Sequence, residues 1–131
     1  MLLRLGGLAL LVLSVVACAD PCENTTVEEF PSPDGEAKLV VFGRECGATT
    51  GFSTQASIMP WWGKVTGIGN VFVADSDHGA APTDKVGRVE LHVRWLSNNV
   101  VELTHHAKAR ISKAERNVKG IAIQYATSGP G

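Results

Sequence analysis

The clearest regularity in the chain is a two-residue alternation over 88–95, where Val89, Leu91, Val93 and Trp95 interleave with Arg88, Glu90, His92 and Arg94. A period of two marks a strand with one buried face. Ser97-Asn98-Asn99 then turns the chain into a partner strand over 100–106. Closing a three-residue loop sets Trp95 opposite Val101, Val93 opposite Leu103 and Arg94 opposite Glu102. Each face is then consistent, and a slip of one residue would mix them.

Weaker versions of the pattern recur upstream. Ser32-Pro33-Asp34-Gly35 has the chemistry of a tight turn: Pro presets φ, Asp bonds nearby backbone, and Gly takes the left-handed position. It leads into a strand over 36–44, with Ala37, Leu39 and Val41 on one face and Lys38, Val40, Phe42 and Arg44 on the other. A second strand over 52–59 alternates Phe52, Thr54, Ala56 and Ile58 with Ser53, Gln55 and Ser57. Pro60-Trp61-Trp62-Gly63 interrupts the pattern, and a third strand covers 69–75. Ala107, Ile111 and Ala114 fall at helical spacing and predict a short helix or an irregular crossing. Ile121, Ile123 and Tyr125 mark a last strand. About six strands with short connections predict a single mainly-β domain, an antiparallel sheet or sandwich over 32–126, with a flexible tail over 127–131.

The N-terminus departs from this pattern. Arg4 precedes an apolar run over 8–16 broken only by Ser14, and small residues close it at Ala17-Cys18-Ala19. The run is far short of the ~20 residues a membrane-spanning helix needs. It has no polar face, so it reads as a cleavable secretory signal over 1–17. Val15-Val16-Ala17-Cys18 is similar to a bacterial lipobox, which would make Cys18 the lipidated first residue of the mature chain. Ala17-Cys18-Ala19 also satisfies the small-x-small rule of ordinary signal peptidase, which would release a soluble protein starting at Asp20. The cysteine at the boundary favours the lipid anchor. Residues 18–31, polar with Pro21 and Pro31, then read as a tether. The expected location is the cell envelope, held to the membrane by the lipid and facing the periplasm from the outer membrane in a Gram-negative cell.

Export also explains an odd cysteine count of three. Either form of processing removes Cys18 from the account and leaves Cys22 and Cys46, which an oxidising compartment would join in a disulfide. Net charge is −1, which implies no nucleic-acid partner. The distribution is uneven: acids dominate 20–45 and bases dominate 85–119. Either the two segments meet and neutralise each other, or the basic one faces anionic glycan or lipid head groups.

SPDG leading into a strand, ECGATTGFSTQ over 45–55, GNVFVAD over 69–75, the Val-Trp hairpin and a closing GIAIQY together resemble a family of small exported bacterial proteins of unassigned activity. The resemblance covers roughly residues 30–126. It implies export and a single domain, and it implies no chemistry.

Several constellations are candidates for function. Gly47, Thr49, Thr50, Gly51, Ser53 and Gln55 could form a loop whose amides and hydroxyls hold an anion, or simply a turn pinned beside Cys46. Glu90, His92 and His106 fall on one face of the hairpin and are the weak candidates for a metal. Asp75-Ser76-Asp77-His78-Gly79 opens like a calcium loop but lacks its later ligands. Trp61 and Trp62 could stack on sugar rings, although burial of at least one is the simpler expectation. No familiar catalytic motif is present. The sequence therefore predicts a non-enzymatic envelope lipoprotein without a cofactor, binding an envelope protein or glycan or serving a structural role. The alternatives are a periplasmic small-molecule or metal-binding module and an inhibitor of a cell-wall hydrolase.

Overall fold

A computed structural model describes residues 21–47 and 51–131 together with Leu11 and Val12. The rest of the predicted signal and Cys18 lie outside the described residues, as do Thr49 and Thr50. The described chain is all β, in nine strands: β1 (Glu23–Pro31), β2 (Ala37–Glu45), β3 (Phe52–Pro60), β4 (Phe72–Asp75), β5 (Leu91–Ser97), β6 (Val100–His106), β7 (Arg110–Ala114), β8 (Asn117–Val118) and β9 (Ile121–Ser128). They form a five-stranded sheet in the order β1-β2-β3-β4-β7 and a four-stranded sheet in the order β5-β6-β9-β8.

The alternating faces explain how the sheets meet. Leu39, Val41, Ala56, Ile58, Phe72 and Ala74 from the first sheet share one buried cluster with Val101, Leu103, Ile121 and Ile123 from the second. Two sheets with one apolar face each bury those faces together, as in a sandwich. The β5–β6 register is the one the turn chemistry predicts, with Trp95 opposite Val101, Val93 opposite Leu103 and Arg94 opposite Glu102.

Three segments differ from the sequence expectation. Most of the predicted tether is β1, paired antiparallel with β2 from Glu23↔Glu45 to Pro31↔Lys38. Its inward-facing Phe30 packs against the core, and Cys22 is joined to Cys46 at the end of the ladder. Second, the segment over 107–116, predicted to be a short helix or an irregular crossing, holds no helix. Instead β7 pairs with β4 on the first sheet before β8 and β9 return to the second. That excursion lets β9 lie parallel to β6, because parallel neighbours need a crossover rather than a hairpin. Ile111 is more than a third exposed, so its helical spacing with Ala107 and Ala114 does not define a buried stripe. Third, β9 runs on through Ser128, and the predicted flexible tail loses its first two residues to the sheet.

Both faces of β2 and β3 are buried. Val40 and Phe42 point away from the inter-sheet core and still have no exposed surface. Residues 61–70 return along this outer side and are tied down by side chains, before Val71 enters the inter-sheet core. Asn24 and Arg44 both donate to the Gly67 carbonyl, at 3.0 and 3.1 Å. The Gln55 side chain accepts from the Gly69 amide at 2.7 Å. Asn70 both donates to the Ile58 carbonyl and accepts from the Ile58 amide, at 2.8 Å each. It thereby supplies through its side chain the pairing that a strand residue gives through its backbone.

Candidate functional site

Two surface features combine exposure with a shaped surround. The first is built on the pinned 61–70 segment. The Trp61 amide donates to the Glu36 carbonyl at 3.0 Å, and the Gly63 amide closes a turn on the Pro60 carbonyl at 2.9 Å. A cation reinforces the far end, where Lys113 Nζ donates to the Gly69 carbonyl at 2.9 Å. At Gly69 a side chain would have no room: an added Cβ would lie 2.7 Å from the Ala56 carbonyl oxygen and 2.9 Å from that of Phe72.

Within this fixed frame Trp61 and Trp62 are 66% and 68% exposed. This corrects the expectation that at least one of these two indoles is buried in the core. The core indole is Trp95, whose Nε1–H donates to the Phe30 carbonyl at 2.8 Å and bridges β5 to β1. Trp62 forms one wall of a groove of about 450 Å³ with Asn24, Thr26, Glu29 and Lys38. Lys38 and Glu29 pair across it at 3.0 Å, placing a donor and an acceptor beside an exposed aromatic face.

The second feature is a cleft of about 500 Å³ where the edge strands β1 and β5 diverge between the sheets. Phe30, Val41, Val89 and Leu91 make its apolar floor, and Glu28, Asp84, Arg88, Glu90 and His92 stand around it. Asp84 closes a turn by accepting from the Val86 and Arg88 amides at 3.0 Å and from Arg88 Nε at 2.6 Å. Burial pushes its carboxyl up, but the hydrogen bonds from Arg88 and Val86, with the Arg88 charge, outweigh this and hold it below its ordinary value.

Of the predicted ligand loop the structure describes Gly47, Gly51, Ser53 and Gln55. Gly47 and Gly51 both adopt positive φ, at 102° and 72°, a region that glycine enters without steric cost. Ser53 and Gln55 are spent on structure: Gln55 Nε2 donates to Ser53 Oγ at 2.8 Å while its oxygen holds Gly69. The predicted metal trio is not gathered. Glu90 and His92 meet at 3.1 Å, but His106 Nδ1 accepts from the Lys108 amide at 3.1 Å, with its ring against Gly129. Among the described residues no group of three or more potential ligands surrounds a common point. His105 faces the core, as alternation requires, and stacks on Phe72 at 5.6 Å.

The acids of the would-be calcium loop face a cation of the chain itself. Arg110 reaches Asp75 at 2.7 Å and Asp77 at 3.7 Å. Burial pushes the Asp75 carboxyl up, and the Arg110 hydrogen bonds, the Asp77 amide and the nearby positive charges more than reverse this. The ion pairs Lys38–Glu29, Arg88–Asp84 and Arg94–Glu102 join residues close in sequence, and Arg110 reaches back to Asp75. None of them joins the acidic N-terminal segment to the basic C-terminal one.

The seam cleft was missed by sequence reasoning because its floor and rim come from segments some sixty residues apart. The bulge that shapes its β1 wall, between Thr26 and Glu28, leaves no signal in the pattern. Comparison with protein-family models, with curated proteins and with solved structures gives no match in any of the three.

Proposed function

We propose that this protein is an envelope-tethered, non-enzymatic β-sandwich that binds glycan through the Trp61–Trp62 face. One observation carries the reading: two adjacent indoles, each about two-thirds exposed, sit where the Trp61 and Gly63 amides tie the chain down, on a segment whose far end, Gly67 to Asn70, is held by six side-chain hydrogen bonds. Exposed tryptophan contributes little to folding, and keeping it on a fixed frame lowers the entropic cost of binding. An indole face offers a sugar ring a flat apolar surface, while Glu29, Lys38 and Thr26 supply donors and acceptors for hydroxyls. The absence of a catalytic motif from the sequence agrees with binding rather than turnover, and the exported, lipid-anchored N-terminus would place that face against envelope polymers.

Tryptophan fluorescence during titration with tri-N-acetylchitotriose tests the idea. A saturable change in the wild type that disappears in Trp62→Ala, with unaltered thermal unfolding, is the expected result. No saturable change up to about 10 mM, an affinity weaker than about −3 kcal/mol, would sink glycan recognition at this face. Equal binding by Trp62→Ala would do the same.

A further inference from the structure

We infer that the seam cleft between β1 and β5 is a second, independent site, for a small organic cation with an apolar body, of the arylalkylammonium class. Its volume, about 500 Å³, lies in the range of small-molecule sites. The floor is apolar, and Val89, 3% exposed, marks where the cleft meets the core. The Thr54 hydroxyl beneath it is already used, accepting from the Val89 amide at 3.1 Å. The floor therefore offers a neutral ligand body contact area and little hydrogen bonding.

The charge around the cleft selects the head group. Asp84 is satisfied by Arg88 and two amides, and Glu90 is paired with His92. Glu28 is the third carboxylate, and among the described residues it makes no hydrogen bond or ion pair. The bulge after Thr26 sets Glu28 opposite Val41, whose side chain belongs to the inter-sheet cluster. The carboxylate is thus directed toward the cleft rather than to the outer face. Three carboxylates, Glu28, Asp84 and Glu90, outnumber the basic side chains Arg88 and His92, so the surround is net negative at pH 7. An ammonium would meet a carboxylate that no described residue pairs, while a carboxylate ligand would meet repulsion.

Amide chemical-shift mapping on the folded domain with phenethylammonium tests the assignment, with 3-phenylpropionate and phenethyl alcohol as comparators of the same body. Saturable shifts at Leu91, Val89 and Thr54 with the ammonium are expected, much weaker shifts with the alcohol, and none with the carboxylate. Glu28→Gln, an exposed and conservative change, should weaken ammonium binding at least about threefold, the scale of a partly exposed ion pair. Added salt should weaken it further. Shifts of equal size with all three probes, no shifts at all, or unchanged affinity in Glu28→Gln would each overturn the proposal. These outcomes are separate from glycan binding, since no residue of this cleft lies in the Trp62 groove.

Discussion

Tyr125 shows how one side chain joins the two sheets. Its ring stacks on Phe72 at 6.1 Å, and its hydroxyl donates to the Glu115 carbonyl at 2.6 Å. Burial, then the Glu115 charge, push its pKa up to about 12, against a smaller opposing effect of Arg116. The folded state therefore favours the neutral phenol. With the folded value raised above the ordinary value of about 10, the stabilisation is complete below pH 10 and is lost as pH rises through about 12. Thermal unfolding of wild type and Tyr125→Phe should accordingly differ by a constant amount up to pH 10, and the gap should close above it. A gap that stays constant through pH 12 would mean that the phenol titrates as it does in the unfolded chain.

At the scale of elements, the sequence was most readable where a single buried face dictates alternation. β5 and β6 have this character, and their register followed from the turn between them. β2 was also legible, because apolar residues occupy both of its faces. Ser53, Gln55 and Ser57 were harder, since their alternation with Phe52, Thr54 and Ala56 reads as a solvated face. They are covered instead, and their polar groups hold the returning 61–70 segment, with Ser57 Oγ accepting from the Asn70 amide at 3.0 Å. β1 was hidden for a different reason. Its charged and polar residues suit an edge, where an inward-pointing acid and a bulge discourage pairing with another chain, and such residues also compose a linker. The glycan reading depends on the 61–70 segment remaining fixed, and Asn70 is its most specific anchor. Asn70→Ala would leave the Ile58 amide and carbonyl without partners, at a cost of about 1–3 kcal/mol. Denaturant unfolding should show that loss, and hydrogen exchange at Ile58 should accelerate.

At the scale of the whole molecule, the two sheets and the disulfide enclose one core, and the proposed membrane attachment rests on the sequence of the N-terminal segment. The Cys22–Cys46 bond, spanning 24 residues, fastens β1 to the end of β2, and the chain-entropy account assigns a loop of this size about 3 kcal/mol. It also places the exit of the N-terminal segment beside Cys22, one end of the β1–β2 ladder. Intact mass of the protein extracted from its native membrane fraction, with and without reduction, tests attachment and oxidation together. The expected species begins at Cys18 with a diacyl- or triacylglyceryl adduct and gains two protons on reduction. An unmodified chain beginning at Asp20 would remove the tether while leaving the disulfide and the sandwich intact. The tryptophan face would then act on freely diffusing glycan, and an affinity adequate for a tethered domain would no longer suffice, because anchoring raises the effective concentration of a surface-bound target. The proposed anchor would thus decide how strongly the Trp62 groove has to bind, and the mass measurement ranks ahead of any affinity measurement in interpreting it.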